Sequence, residues 1–406
     1  MVAPSKRKEF LPFFRPSFGE EEERELIECL RSGWITTGPR VRAFEQALGE
    51  YLGGVHVAAV SSGTAALHLA LAALDVGPGH EVITVGLTWV STANVILHQG
   101  ATPVLVDVDP GTWCMEPREL ARVIEARYRL EGGRGVNPES GAVLKAVVVV
   151  HYAGVSCEME PILELGREWG FDVIEDAAHA IGTTYRARPA GTLGTLGCFS
   201  FYANKNMTTA EGGAVVGRDS ALVEKVRMLA LHGLAKDAWA RYGKGGRWYQ
   251  PMELLGFKYN MTDLAASLGL HQLGRLEGFN SRRRQLAALY DQLLAGTRGL
   301  ILPPANPWGV HARHIYPIVV DEARAGITRD ELIRVLGEYN IGTGVHFIPV
   351  HLHPYYQRRF GWGEGMLPVT ERLYQGLVSL PLFPGMAEED VEYVAGIVHW
   401  ALEGGR

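Results

Sequence analysis

The sequence predicts an α/β protein with two domains: a large domain in which a mostly parallel sheet lies between helices, and a smaller α+β domain at the C-terminal end. Two observations predict this fold class. Short apolar runs such as 55–60 and 146–151 alternate with longer helical patterns such as 64–74 and 159–169. The runs are apolar throughout instead of at every second residue, which is typical of parallel strands buried on both faces. A sheet covered by helices follows from this pattern.

The elements of the large domain follow one another along the chain. Strands are expected at 55–60, 81–85, 103–108, 146–151, 171–174 and 198–201, and helices at 64–74, 91–98, 117–126 and 159–169. The segment 132–141 is rich in Gly, Pro and Ser and is expected to form a surface loop. A long helix is expected at 256–284, where it would connect the two domains.

The smaller domain is expected after Pro303 and Pro304. Its predicted strands are 315–320 and 343–347, and its predicted helices are 329–339 and 388–402. We therefore divide the chain into an N-terminal arm at 1–15, a large domain at 16–275 and a small domain at 276–406.

Composition excludes several classes of function. Of 406 residues, 47% are apolar and 21% are charged, which indicates a soluble folded protein instead of a disordered chain. The net charge of −6 gives no reason to expect nucleic acid or an anionic membrane as a partner. No apolar run approaches the roughly 20 residues that span a bilayer. The four cysteines form no C-x-x-C pair, so reduced thiols and a cytoplasmic location are expected.

An anion site is predicted where the 55–60 strand gives way to a helix. Ser61, Ser62, Gly63 and Thr64 follow that strand, and the free N–H groups and dipole of a helix N-terminus favour a phosphate there. An ordinary Ser/Thr cap with a glycine for close packing explains the same residues. Both interpretations stay open at this point.

Two further residues give the anion site a chemical context. Asp176 ends an apolar strand, where it could pair with the ring nitrogen of a heteroaromatic cofactor or merely cap a helix. Lys205 lies among apolar and small polar residues, so desolvation could activate its amine, although a surface lysine is the plain alternative. With Trp89 as a stacking face and Ser200 as a phosphate hydroxyl, the ordered set predicts a pocket for pyridoxal phosphate (PLP).

Motifs along nearly the whole chain resemble the nucleotide-sugar aminotransferases of PLP fold type I, the DegT/DnrJ/EryC/StrS-like family. The resemblance is carried by the segments 32–39, 62–68, 88–92, 150–154, 175–182, 199–201, 205–206, 211–216, 342–347 and 379–384. Within the family, the segments 32–39, 233–239 and 256–262 are most similar to the enzymes that make UDP-4-amino-4-deoxy-L-arabinose.

The resemblance implies a role for each matching residue. Lys205 would be the Schiff-base lysine and, with Asp176 at the pyridine nitrogen, would carry the chemistry. The other implied cofactor contacts are Trp89 on the ring, His179 near the phenolic oxygen, and Gly63, Thr64 and Ser200 on the phosphate. In relatives a segment of the neighbouring subunit completes the phosphate site, and its matching residues here are Lys258 and, second, Asn260. Contacts with the substrate are expected from His346, His314 and Trp34.

The implied reaction is the transfer of an amino group from L-glutamate, which leaves as 2-oxoglutarate, to a UDP- or dTDP-linked keto sugar, with C4 favoured. A homodimer with shared active sites, working in lipopolysaccharide or polysaccharide biosynthesis, is expected. The alternatives are a 3-keto sugar or cyclitol aminotransferase, a PLP-dependent sugar dehydratase, and a non-catalytic PLP-binding regulator. A histidine commonly replaces the lysine in the dehydratases, so Lys205 argues against a dehydratase. A regulator would have lost Lys205 or Asp176, so the presence of both residues argues against a regulator.

Two other patterns invite a different interpretation. His346, His351 and His353 are close in sequence, but no acidic or thiolate ligand accompanies them, so no metal site is expected. The segment 236–251 interleaves cations with aromatic residues, as some nucleic-acid patches do. In a net-acidic chain, a flap over the diphosphate or base of a sugar nucleotide is the better interpretation.

Overall fold

The computed structural model of the chain describes residues 5–234 and 251–404. Its helices are α1 (Glu20–Ser32), α2 (Pro39–Tyr51), α3 (Gly63–Ala73), α4 (Ser91–His98), α5 (Pro117–Arg127), α6 (Met159–Trp169), α7 (Ser220–Ala230), α8 (Asp263–Leu294), α9 (Glu322–Ala325), α10 (Arg329–Glu338), α11 (Pro354–Phe360), α12 (Pro368–Gly376) and α13 (Glu388–Leu402). Its strands are β1 (His56–Val60), β2 (His80–Val85), β3 (Thr102–Val106), β4 (Arg129–Glu131), β5 (Arg134–Val136), β6 (Val143–Val150), β7 (Asp172–Asp176), β8 (Thr184–Tyr185), β9 (Arg188–Pro189), β10 (Leu196–Ser200), β11 (Gly213–Gly217), β12 (Leu300–Ile301), β13 (Tyr316–Val320) and β14 (Leu377–Leu380).

The large sheet has the strand order β1-β11-β10-β7-β6-β2-β3, and the hairpin β4–β5 joins it beside β6. The pairs from β10 through β7, β6 and β2 to β3 are all parallel, while β11 runs antiparallel to both of its neighbours. The predicted α/β class with a mostly parallel sheet is confirmed. Because β1, β2, β6, β7 and β10 point the same way, their carboxyl ends meet at one edge of the sheet.

Strand β6 shows why the sheet is covered on both faces. Val147 and Val149 pack into a core cluster that includes residues of α5 and α6. Ala146 and Val148 point to the opposite face, into a cluster formed with α3 and α7. Both faces of the strand are therefore apolar, and each valine buried this way contributes roughly 1.5–3 kcal/mol.

The C-terminal part of the chain forms its own layer, in which the antiparallel sheet β12-β13-β14 packs against α10 and α13. The predicted helix at 388–402 matches α13. The predicted strand at 343–347 is wrong: only Gly344 pairs there, with Ser379, because β14 occupies the place beside β13.

Two further element predictions need correction. The connecting helix α8 begins at Asp263 instead of 256, because Thr262 caps it by accepting from the N–H of Ala265, and it continues to Leu294. The segment 132–141 is not entirely a loop, because residues 134–136 form β5, which pairs with β4.

The N-terminal segment lies against the C-terminal part of the chain. The main-chain N–H of Arg7 donates to the Tyr393 hydroxyl at 3.0 Å. Leu11 forms a parallel bridge with Ile341 and is 4% exposed. The ring of Phe13 stacks on His346 with a centroid distance of 5.1 Å. The first described residues are thus tied to the wall of the site described next.

The four cysteines are buried and unpaired. In the described part of the chain, no helix is long and apolar enough to cross a membrane. The flap predicted at 236–251 lies outside the described residues, apart from Pro251.

Candidate active site

A cavity of about 510 Å³ opens where the carboxyl ends of the parallel strands meet. Strand ends supply Asp176 and Ser200, the N-terminus of α3 supplies Gly63 and Thr64, and the loop after β10 supplies Lys205. The residues predicted from sequence that line this one cavity are Gly63, Thr64, Trp89, Asp176, His179, Ser200, Lys205, His314 and His346.

The N-terminus of α3 forms a cup for an anion. Ser62 caps the helix by accepting from the N–H of Ala65 at 3.0 Å. The first main-chain helical bond runs from Ala66 to Ser62, so the amides of Gly63 and Thr64 precede it and are available to a ligand. A Cβ on Gly63 would lie 2.7 Å from the Cβ of Ser200, so only glycine brings the helix this close to the strand end. These features fit a phosphate.

Asp176 is a buried carboxylate with a fixed orientation. Its Oδ2 accepts a hydrogen bond from the Thr92 hydroxyl at 2.8 Å, and its Oδ1 accepts from the N–H of Ala178 at 3.2 Å. Burial raises the pKa of Asp176, and these two hydrogen bonds and the charge of Lys205 act in the opposite direction. The carboxylate is therefore held ready for a cationic partner in the cavity.

The preceding carboxylate, Glu175, faces away from the cavity and is fully buried. It accepts from His151 Nε2 at 2.9 Å and from three main-chain N–H groups, those of Gly191, Leu193 and Gly194, at 2.6–2.7 Å. This network holds the ends of β6 and β7 in place. The sequence offered Glu175 as a neighbour of Asp176 but gave no sign of its partners.

Lys205 places a buried amine in the cavity. Burial lowers its pKa to about 8, and the negative charge of Asp176 opposes that shift. About a tenth of the amine is thus unprotonated at pH 7, far more than in an ordinary lysine, and attack on a carbonyl carbon requires this neutral form. The desolvation expected from the sequence around Lys205 is present in the structure.

Three imidazoles, those of His179, His314 and His346, form part of the cavity wall. His179 and His314 lie 4.3 Å apart between ring centroids, and Phe347 stacks on His179. Burial lowers the pKa of His179, His314 and His346, and the neighbouring charge of Lys205 adds to each shift. These rings are therefore neutral hydrogen-bonding groups at physiological pH.

An aromatic pair borders the cavity entrance. Trp89 is 57% exposed, and its ring lies 5.5 Å from that of Phe347. Sequence reasoning missed Phe347 as a site residue, although it belongs to the family-like segment 342–347. It also missed Thr92, whose only signal was its place in the segment 88–92.

Three predicted site residues do not line the cavity of this chain. Asn260 donates to the Thr37 hydroxyl at 2.6 Å, and Lys258 donates to Asn260. The indole N–H of Trp34 donates to the carbonyl of Thr37 at 3.0 Å. Thr37 connects the three residues, and Asn260 pairs with Val60 at the end of β1. Their assignment to a neighbouring subunit's phosphate site and to the substrate stays a prediction.

Among residues 5–234 and 251–404, no group of three or more His, Cys, Asp or Glu side chains is arranged to hold a metal ion. What these residues do fit is PLP: an anion cup closed by Gly63 against Ser200, a buried carboxylate, a desolvated lysine and the exposed ring of Trp89. The fold and the cavity together fit the class of PLP-dependent enzymes.

Comparison with known proteins narrows this class. Residues 16–399 match the model of the DegT/DnrJ/EryC1/StrS aminotransferase family. The chain is 46% identical over 400 residues to the spore coat polysaccharide biosynthesis protein SpsC of Bacillus subtilis, covering 98% of this chain and 99% of SpsC. The chain therefore belongs to the DegT/DnrJ/EryC1/StrS aminotransferase family. Membership makes it a sugar aminotransferase and implies PLP as its cofactor.

Solved structures agree with this assignment. Spr1654 from Streptococcus pneumoniae in its PLP form is similar to the chain with a TM-score of 0.86 at 30% identity, over 98% of this chain and 100% of that one. DesI, solved in the presence of its TDP-sugar product, is similar with a TM-score of 0.83 at 30% identity, over 98% of this chain and 94% of that one.

Proposed function

We propose that this protein transfers an amino group from L-glutamate to the keto carbon of a nucleotide-linked sugar, with C4 as the favoured position. The observation that carries the proposal is the meeting of Lys205 and Asp176 with a phosphate cup in one cavity. The TDP-sugar product of DesI supports a nucleotide-linked substrate. The role of SpsC in spore coat polysaccharide biosynthesis supports a place in polysaccharide assembly.

The segments 32–39 and 256–262 favour a sugar of the 4-amino-4-deoxy-L-arabinose type, carried on UDP or dTDP. The imidazoles His314 and His346 line the cavity, where a sugar would contact them. Trp34 is proposed as a further substrate contact, reached from a neighbouring subunit.

PLP, when bound, holds the amino group in transit and withdraws electrons from the carbon that loses a proton. Gly63, Thr64 and Ser200 would hold its phosphate, Trp89 and His179 its ring, and Asp176 its ring nitrogen. Lys205 does the proton chemistry: its neutral Nζ takes the proton from the α-carbon of glutamate and, in the second half of the reaction, returns one to the sugar carbon. Asp176 keeps a negative charge beside the ring nitrogen throughout.

We further propose a cytoplasmic homodimer in which Lys258 and Asn260 complete the phosphate site of the other subunit. Lys258 is exposed, and Leu255, three residues earlier, is 85% exposed, as expected of a surface that a second copy covers. The proposed division of the chain is an arm at 1–15, a large domain at 16–275 and a small domain at 276–406.

The test is a transfer assay with isotope-labelled donor. The PLP-loaded protein is incubated with ¹⁵N-glutamate and a panel of UDP- and dTDP-linked 4-keto and 3-keto sugars, and the products are analysed by mass spectrometry. We expect ¹⁵N in one 4-amino sugar nucleotide and none with the Lys205→Ala variant. If a 3-amino sugar is labelled instead, the site of amination is C3 and not C4. If PLP-loaded protein yields no labelled sugar nucleotide at all, the proposal is overturned.

A further inference from the structure

Two asparagines behind Lys205 have amide groups whose orientation is fixed. The Nδ2 of Asn280 donates to the carbonyl of Ile181 at 3.1 Å. The Nδ2 of Asn206 donates to Asn280 Oδ1 at 2.7 Å and to the carbonyl of Ala312 at 2.9 Å. A main-chain carbonyl can only accept, so neither amide can be turned over without losing a hydrogen bond. All of these groups are buried.

This orientation determines the tautomer of His314. The Oδ1 of Asn206, which can only accept, lies 2.9 Å from His314 Nδ1, so Nδ1 carries the hydrogen. Burial and the nearby His179 and Lys205 lower the pKa of His314 well below its ordinary value, so the ring is neutral. Its Nε2 is therefore an unprotonated acceptor. No residue within 5–234 or 251–404 forms a hydrogen bond with it, and the ring lines the cavity.

The adjacent imidazole has the opposite polarity. The N–H of Ala153 donates to His179 Nδ1 at 3.3 Å, so the hydrogen of neutral His179 is on Nε2. The two rings lie 4.3 Å apart. The wall therefore presents one donor, from His179, and one acceptor, from His314, side by side.

We propose that His314 is a specificity-determining residue that accepts a hydrogen bond from a sugar hydroxyl, and that Asn206 and Asn280 are positioning residues that fix it as an acceptor. This inference rests on the proposed function for the identity of the sugar. A buried acceptor that meets an ether or carbonyl oxygen loses its hydrogen bond to water without replacement. A site built this way rejects analogues that lack the hydroxyl far more strongly than an apolar site would.

The tautomer is tested first, without any sugar. PLP-loaded protein labelled with ¹⁵N-histidine is examined by long-range ¹H–¹⁵N correlation, with the His314 signals assigned by their loss in His314→Gln. We expect a protonated Nδ1 and an unprotonated Nε2. His151 is an internal control with the reverse pattern, because its Nδ1 accepts from the N–H of Cys157 and its Nε2 faces Glu175. A protonated Nε2 on His314, with or without a proton on Nδ1, overturns the inference and leaves the proposed function standing.

Specificity is tested with the keto sugar that the transfer assay identifies and its analogues, each lacking one ring hydroxyl. We expect one analogue to lose on the order of a hundredfold in kcat/KM with the wild-type protein. In His314→Gln, the difference in kcat/KM between the keto sugar and this analogue should narrow to a few-fold. The reason is that a glutamine amide can rotate to offer either an acceptor or a donor.

A second variant keeps this test informative if His314→Gln does not fold. Asn206→Leu has a similar shape but no oxygen for Nδ1, so the His314 ring loses the group that fixes its tautomer. Nε2 should then become partly protonated, and the same difference in kcat/KM should narrow. If the ratio of kcat/KM between the keto sugar and every analogue is the same in the wild type and in the folded variants, His314 has no role in specificity.

Discussion

Replacing Asp176 by asparagine removes one negative charge from the cavity and almost nothing else. Asparagine has the same size, and its Oδ1 can still accept from the N–H of Ala178. Thr92 donates to Oδ2 in the wild type and also lies 2.9 Å from the Thr88 hydroxyl, where either oxygen can be the donor. The Thr92 hydroxyl can therefore donate to Thr88 instead and accept a hydrogen bond from the new amide. We expect Asp176→Asn to fold and to retain PLP on Lys205.

The magnitude follows from the charge that is lost. Two unit charges about 4 Å apart interact with ~4 kcal/mol at an effective dielectric constant of about 20. Part of this stabilisation is already present before the glutamate α-carbon loses its proton, so about 3 kcal/mol is left to lower the barrier. The expected effect is therefore a loss on the order of a hundredfold in the glutamate half-reaction.

The assay is a single-turnover reaction of PLP-loaded protein with L-glutamate, followed by stopped-flow absorbance of the cofactor. Asp172→Asn is the matched control, because Asp172 starts the same strand, at the end away from the cavity, and its side chain bonds to Thr195 and Lys145. We expect the control to react at the wild-type rate. If Asp176→Asn is also within a few-fold of wild type, the carboxylate has only a structural role, and the reasoning above is refuted.

Three further predictions concern the amine, the phosphate cup and the subunit interface. When PLP is added to protein freed of its cofactor, the rate of attachment measured by stopped flow should rise about tenfold per pH unit up to about pH 8 and then level off. The reason is that only neutral Lys205 attacks PLP and the pKa of Lys205 is about 8. A rate that continues to rise to pH 10 would contradict this. Gly63→Ala should weaken PLP binding at least tenfold in a fluorescence titration, since its Cβ would lie 2.7 Å from Ser200 Cβ, whereas Gly274→Ala, which meets nothing within 4 Å, should bind as wild type. Mixing Lys205→Ala with Lys258→Ala should restore part of the activity through hybrid dimers with one intact site; no rescue after demonstrated subunit exchange would count against a shared site.

Much of the fold could be predicted because its strands are buried on both faces. The apolar run at the end of β6 is typical of a buried strand and lacks the spacing of an amphipathic helix. The sequence of α13 shows acidic residues in the first turn and apolar residues at helical spacing, which predict a helix. The strand predicted at 343–347 was wrong because local composition does not show which segment wins the place beside β13. That place went to β14, whose four residues are all buried.

Some residues of the candidate site could also be predicted from the sequence, and others could not. Residues of the kinds that bind PLP have restricted identities and spacing, so Asp176 and Lys205, our proposed cofactor contacts, could be singled out from the chain alone. Residues that orient them have ordinary identities: Asn280 is one polar residue in a long helix, and Glu175 could as well have been the ring carboxylate. Only the folded chain shows that Glu175 is already occupied by three amides and an imidazole.

The docking of the N-terminal segment also orders events during synthesis. The carbonyl of Arg7 accepts from the side chain of Asn340, a residue 333 positions later in the chain. At about 5–20 residues per second, a ribosome needs on the order of tens of seconds to make that partner. Until then Leu11 and Phe13 have no surface to cover, and His346, against which Phe13 will stack, does not yet exist. Residues 7–13 are thus made long before they can settle, and the wall of the cavity that holds His346 is complete only when this segment packs against it.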